Sequence, residues 1–269
     1  MSEFFKNKVV AITGGSDGIG KALIEKLLPL GAKIGTCARN QDKLYDLQLR
    51  HSLEPLHCVV ADVSNYNDCK LFIESTINQF GGIDILINNA GVSMRALLKD
   101  AELDVFRKVM EINYFGTVYC TKLALNSIIE RKGSIVAVSS IAGYRGLPGR
   151  SGYSASKFAV NGWMEAIRTE LQDDDVNVLW ISPGFTKSNI RNAALNNKAQ
   201  AHGDTPLNEE ELMSPEECAE NILNAIEKRK RTLVMTFTGK QTVFLNKFFP
   251  SLADKFTKKF FFKDGKLIK

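Results

Sequence analysis

Nowhere in its 269 residues does the sequence hold a run of about 18 apolar residues, which excludes a helix able to span a bilayer. Paired spacing is missing among the five cysteines, Cys37, Cys58, Cys69, Cys120 and Cys218. With no CxxC and an odd total, neither a disulfide framework nor a zinc site is indicated, and reduced thiols are expected. The three histidines, His51, His57 and His202, show no metal-ligand spacing, so no metal is expected. The opening MSEFFKNKVVAITGG runs straight into a β-branched stretch with no apolar signal core, which points to the cytoplasm. Acidic residues are scarce in one place: from Lys228 onward twelve Lys and Arg face only Asp254 and Asp264, a local net charge of +10 against +5 for the whole chain. A basic end on a mildly acidic body is a local feature, not the composition of a nucleic-acid-binding chain.

What the sequence does hold is an alternation. The runs VVAIT (9–13), KIGTCA (33–38), LHCVV (56–60), IDILIN (83–88), SIVAVSS (134–140), VNVLWI (176–181) and TLVMT (232–236) read as strands, and the intervals between them have room for a helix and its loops. Runs as continuously apolar as IDILIN suit a parallel sheet covered on both faces, so the fold expected is α/β, a doubly wound parallel sheet of seven strands. No repeat or low-complexity linker divides the chain. Residues 1–238 read as one domain, in which the polar, weakly patterned stretch 184–213 is a substrate lid by its length, and residues 239–269 read as a basic, aromatic extension.

TGGSDGIG (13–20) follows the first strand directly. Glycines there let the backbone turn tightly and approach a pyrophosphate, which then sits at the amino end of the next helix among free N–H groups. The spacing Gly14-x-x-x-Gly18-x-Gly20 differs from GxGxxG, and a purely structural turn also uses glycine; the position right after a strand is what favours a dinucleotide. Asp62 and Val63, after the third strand, either bracket an adenine or cap a turn. Asn89, Ala90 and Gly91 end the fourth strand, and Pro183, Gly184 and Thr186 follow the sixth, at the carboxyl edge where open α/β sheets bind ligands. The second strand ends TCARN with no acid before Asp42 to hold a ribose 2′-hydroxyl; Arg39 suits a 2′-phosphate, so NADP(H) is expected, although Asp17 in the glycine turn works against it. In GYSASKF, Tyr153 and Lys157 stand four residues apart, on one face of a helix.

TGGSDGIG, NNAG (88–91), the Asn113 of IN, the Ser140 of SS, YSASK (153–157) and SPG (182–184), in this order over roughly residues 7–236, resemble the short-chain dehydrogenase/reductase family. The resemblance implies a Rossmann-like sheet in the order 3-2-1-4-5-6-7, a nicotinamide dinucleotide, and a catalytic group of Ser140, Tyr153, Lys157 and Asn113. Ser140 is taken over Ser139 because it stands 13 residues before the tyrosine, the family's usual separation. By the same resemblance Gly14, Ser16, Gly18, Ile19 and Gly20 hold the pyrophosphate, Lys157 the nicotinamide ribose, and the Thr186 backbone the carboxamide. Chemically, a free phenol with a pKa near 10 is a reluctant acid and almost never a base. A cation one turn away, Lys157, would draw the pKa of Tyr153 toward working pH, so that it gives a proton in reduction and takes one in oxidation. Ser140 would hydrogen-bond the substrate oxygen, and Asn113 would hold a water linking Lys157 to solvent.

The function expected is therefore NADPH-dependent reduction of a ketone, or oxidation of the alcohol. The alternatives are a dinucleotide-binding sensor or scaffold without turnover, and an epimerase or dehydratase of the extended type, whose added substrate domain has no room here. TGGSDGIGKAL, ARNQDKL and SASKFAV are similar to members reducing the 3-keto group of sphingoid bases, whereas SPGFT lacks their double proline. The resemblance also implies a homodimer or homotetramer paired through about 102–131 and 152–172. In the extension, Phe244, Phe248, Leu252, Phe256 and Phe260 recur every four residues with lysines between, and Pro250 should divide the pattern into two segments. Such a segment either packs on the protein's own body or a dimer partner, or lies at the surface of an anionic membrane; both suit a lipid-like ketone.

Overall fold

The structure, a computed structural model, describes residues 2–203 and 212–268. Its strands are β1 (Val9–Thr13), β2 (Lys33–Ala38), β3 (Leu56–Val60), β4 (Ile85–Asn88), β5 (Ser134–Val138), β6 (Asn177–Ser182) and β7 (Thr232–Val234), with a small hairpin of β8 (Phe262–Lys263) and β9 (Lys266–Leu267). The helices are α1 (Ser2–Phe5), α2 (Gly18–Leu27), α3 (Gln41–Arg50), α4 (Tyr66–Phe80), α5 (Leu103–Met110), α6 (Gly116–Glu130), α7 (Ser151–Glu170), α8 (Pro215–Glu227), α9 (Phe237–Phe248) and α10 (Pro250–Phe261).

Strands β1 and β4 to β6 are buried at every position, as continuous apolar runs require when both sheet faces are covered. The period of two then sorts their side chains. Val10, Ile12, Ile34 and Ile87 pack on one face under α2 and α8, through Leu23, Leu27, Ile222 and Ile226. Val9, Ala11, Leu86 and Val178 pack on the other under α4, α6 and α7, through Phe72, Ala124 and Met164. The seven strands pair in parallel in the order β3-β2-β1-β4-β5-β6-β7, a Rossmann-like sheet as expected. After β3 the chain returns to place β4 on the other side of β1, and that switch point opens a crevice at the carboxyl ends of the strands.

Strand limits move where side chains take over the backbone's hydrogen bonds. β4 starts at Ile85, two residues later than IDILIN suggests, because the Asp84 carboxylate accepts the Val9 N–H at 2.8 Å and pairs with Lys8 and Arg131. β5 ends at Val138, and Ser140 caps a 3₁₀ turn, Ile141–Gly143. The expected lid falls partly outside the described residues, at 204–211; its described part is hydrogen-bonded to the loop after β4, with Leu195 N–H to Ser93 O and Arg95 N–H to Leu195 O, both 2.8 Å.

Pro250 opens α10, so the chain end forms two helices rather than one. Both lie on the loop between β5 and α7. Asn246 donates to Tyr144 O at 2.8 Å, Arg145 bonds Asn246 and Asp254, Phe261 is buried, and Leu267 fills the space beside Gly149. Phe244, Phe248, Phe249, Leu252, Phe256 and Phe260 remain exposed. No described helix is long and apolar enough to cross a membrane.

Candidate active site

The first crossover must reverse the chain at the end of β1. Gly14 (φ +73°) and Gly18 (φ +51°) do so in left-handed conformations that a side chain would strain. Gly20 serves a different need: a Cβ there would stand 2.2 Å from the Gly14 carbonyl oxygen, so α2 can start this close to the turn only with a hydrogen at that position. Asp17 caps α2 by accepting the Gly18 N–H at 2.8 Å. The turn is fastened from the side by β4: Asn89 donates to Thr13 O and Gly14 O at 3.0 and 3.2 Å, and Thr13 Oγ1 accepts from the Asn89 and Ala90 N–H groups, both at 3.0 Å. Asn89 is thus a brace as well as a wall residue.

A cleft of about 470 Å³ runs from this turn along the carboxyl ends of the strands. Ser16, Ile19, Arg39, Val63 and Gly91 line it, as do Pro183, Gly184 and Thr186 on the side of β6. At its outer end Arg39 is 67% exposed and lies 3.7 Å from the Asp62 carboxylate. Asp62 folds a turn by accepting the Ser64 N–H and hydroxyl at 2.9 and 2.7 Å, and it also lines the cleft. Lys43, from α3, pairs with Asp17. Burial raises the pKa of Asp17, but the Lys43 contact, the Gly18 N–H and Lys21 outweigh it and hold the carboxyl below its usual range. The carboxylate that would repel a phosphate here is therefore already matched.

At the other end, Tyr153 and Lys157 share the buried face of α7, and Ser140 lines the same part of the cleft. Ser140 Oγ accepts the Ala142 N–H at 3.1 Å, which leaves its own O–H to donate. Ser139 is engaged elsewhere, donating to Asn161 at 2.6 Å. Lys157 Nζ donates to Val138 O at 2.8 Å and lies 5.8 Å from the centre of the Tyr153 ring. Burial pushes the Lys157 pKa down to about 8. Burial also raises the Tyr153 pKa; the Ser140 hydrogen bond and the Arg150 charge act against this without cancelling it. This departs from the expectation that Lys157 draws the phenol down: its ammonium is tethered to β5, and the cation acting on Tyr153 is Arg150.

Asn113 sits in a π-helical turn, Glu111–Phe115, between α5 and α6. Its amide accepts the Val92 N–H at 2.8 Å and donates to Val92 O and Ser156 Oγ, both at 2.9 Å. The side chain thereby ties the loop after β4 to α7. Thr186 is buried, and its carbonyl accepts from Arg191 at 3.0 Å. No cluster of metal-ligating side chains occurs among the described residues.

Sequence reasoning missed Lys43, Arg150 and Arg191, all on the cleft wall. Lys43 and Arg191 carry no local signal, since their partners are remote in sequence or in a loop. Arg150 did carry one: it precedes Tyr153 by three residues, and so falls on the same side of the helix start.

A family model described as short chain dehydrogenase matches residues 8–199. The rat protein named Dehydrogenase/reductase SDR family member 7B is 36% identical over 259 residues, covering 93% of this chain and 80% of its own length. The Drosophila melanogaster protein named Dehydrogenase/reductase SDR family protein 7-like is 32% identical over 253 residues, covering 91% and 78%. A short chain dehydrogenase/reductase from Burkholderia phymatum in complex with NAD superposes with a TM-score of 0.80 at 24% identity, covering 92% of this chain and 95% of its own. A Caenorhabditis elegans short-chain dehydrogenase/reductase of unknown function, solved with cofactor, gives 0.75 at 24% identity, covering 87% and 98%. At this identity the two structures bear on the fold alone.

Proposed function

This chain belongs to the short-chain dehydrogenase/reductase family of oxidoreductases, and from that premise we propose that it interconverts a hydrophobic ketone and its secondary alcohol with NADP(H). The observation that carries the reading is one cleft with a glycine turn, Arg39 and Lys43 at one end and Ser140, Tyr153 and Lys157 at the other. The residues present fit a dinucleotide: only hydrogen is tolerated at Gly20, and Arg39 and Lys43, which line the same cleft, would meet a 2′-phosphate. Gly14, Ser16, Gly18, Ile19 and Gly20 would hold the pyrophosphate, Asp62 and Val63 the adenine, and Lys157 the nicotinamide ribose. Asn89, Ala90, Gly91, Pro183, Gly184 and Thr186 would form the walls. When bound, the nicotinamide supplies or accepts the hydride.

The remaining chemistry belongs to the chain. Tyr153 gives its phenolic proton to the carbonyl oxygen in reduction and recovers it in oxidation, while Ser140 donates a hydrogen bond to that oxygen and stabilises its developing charge. With its pKa raised by burial, Tyr153 is protonated at neutral pH. Reduction should therefore fall as pH rises through that pKa, and oxidation should fall as pH drops below it.

Cofactor choice is the test. NADPH is expected to give the higher kcat/KM, and Arg39→Ala to lower it by roughly ten- to a hundredfold while leaving NADH nearly unchanged. A clear preference of the intact protein for NADH overturns the NADP(H) assignment.

We take residues 1–238 as the catalytic domain and 239–269 as an extension serving a greasy substrate. Leu147 lines both the cleft and a second cavity of about 550 Å³ under α10, so an apolar chain has somewhere to run. The exposed phenylalanines of α9 and α10, interleaved with Lys247, Lys255, Lys258 and Lys259, match an anionic lipid surface. Co-sedimentation with anionic liposomes at low salt is expected, weakening roughly a hundredfold when Lys247, Lys255 and Lys259 are changed to Glu. Failure to co-sediment would leave the tail a packing surface. The exposed Phe115 and Phe158, at α6 and on α7, support pairing into a homodimer or homotetramer.

A further inference from the structure

Arg150 is 8% exposed, and its Nη1 has no hydrogen-bond partner. The guanidinium carbon lies 5.3 Å from the centre of the Phe261 ring, a contact that uses the face of the group and none of its N–H donors. No described carboxylate acts on it: the charges that do are Arg95 and Arg191, with the Tyr153 phenol between them in influence. Burial, then the Arg95 charge, lower its pKa to about 10, opposed by Tyr153, so it stays cationic at neutral pH. Arg191 stands on the same cleft wall with Nη2 on Thr186 O, and Arg95 approaches His202 Nε2 at 3.3 Å and Ile268 O at 3.5 Å. Among the described residues, the carboxylates lining the cleft are Asp17 and Asp62, at its far end and paired with Lys43 and Arg39. A buried guanidinium with an N–H donor left unpartnered costs folding free energy, and such an arrangement is retained where a ligand brings the opposite charge.

We propose that Arg150, buried at the catalytic end of the cleft with an unpartnered Nη1, receives an anionic group, a carboxylate or a phosphate monoester, carried by the ketone substrate itself. The proposal rests on the reductase reading above and names the chemical class of its substrate. The dinucleotide's own phosphates are not that anion, because the glycine turn and Arg39 take them at the opposite end of the cleft. Arg150 precedes Tyr153 by one helical turn, so the anion is held beside the reacting carbonyl. A fork of donors on a planar group suits either anion, and bidentate geometry makes Arg better than Lys for it.

The test needs no turnover. With NADPH-saturated protein, binding of octyl phosphate, octanoate and octanol is measured by calorimetry. One of the two anions is expected to bind roughly tenfold or more tighter than octanol, the two arms telling phosphate from carboxylate. Arg150→Met should erase the preference, and Arg150→Lys should keep part of it. If the Met variant does not fold, the Lys variant carries the test, with a partial loss of the preference. Equal affinity for the three ligands, or a preference that survives Arg150→Met, overturns the assignment. Reduction of octan-2-one is assayed alongside. Turnover of that ketone without any anion preference removes only the anion site, and an Arg150-dependent preference without turnover of any ketone keeps the site and removes the reductase.

Discussion

Tyr153→Phe is expected to keep the fold and dinucleotide binding and to lose carbonyl reduction by about three powers of ten. The ring stays, so the packing of α7 against Val92, Met94 and Ala142 is untouched. What leaves is one oxygen, on the cleft wall that Ser140 also lines. Because proton donation is made only in the transition state, kcat should fall with KM little changed, and the pH dependence of the residual rate should flatten. Near-normal turnover in the variant would take Tyr153 out of the mechanism. Lys157→Met would be less clean, since the ammonium both bonds Val138 O and is assigned to the ribose.

Gly20→Ala should damage the fold and dinucleotide binding together. The added Cβ meets Gly14 O at 2.2 Å and Asn89 Nδ2 at 2.6 Å, and neither is the loose end of a flexible chain: one is backbone in the turn, the other is held by two hydrogen bonds. Overpacking of this kind costs about 1–3 kcal/mol, and relief requires the turn itself to move. Dinucleotide affinity should fall at least roughly tenfold together with Tm, the former because the free N–H groups lose their aim. Gly162→Ala is the control: it lies in α7 with nothing within 4 Å of the new methyl, and should stabilise by about 0.5–1 kcal/mol. Equal binding of NADPH by the Gly20 variant and the intact protein would show that the turn does not cradle the cofactor.

The sheet was legible because burial on both faces writes an unbroken apolar run into every central strand, and because each strand is followed by its own helix. Order among the strands is a different matter: periodicity says nothing about which run lies beside which, and only the ordered motifs implied that β4 returns to the side of β1. Site residues were legible where a local pattern carried them, as in TGGSDGIG and YSASK. Interactions between remote segments were not. That Lys43 cancels Asp17, that Asn113 spends its amide on Val92 and Ser156, and that Val138 O captures Lys157 are all facts of tertiary packing, with partners 19 to 43 residues away. The tail's spacing gave two short amphipathic helices but not the direction of the stripe. Packing turned Ala253 and Phe261 inward and left the repeated phenylalanines facing out.

The fastening of α9 and α10 to the loop between β5 and α7 bears on how this molecule opens. Tyr144, Arg145 and Gly149 hold the tail at one side, while Ser140 and Arg150 begin and end the same stretch of chain and face the cleft on the other. In a ladder of local unfolding events, tail and loop therefore occupy one rung: detaching the helices strips Tyr144 O and Arg145 of their partners and leaves the loop held by fewer contacts. The last thirty residues, remote in sequence from Tyr153 and Lys157, thus brace one wall of the cleft.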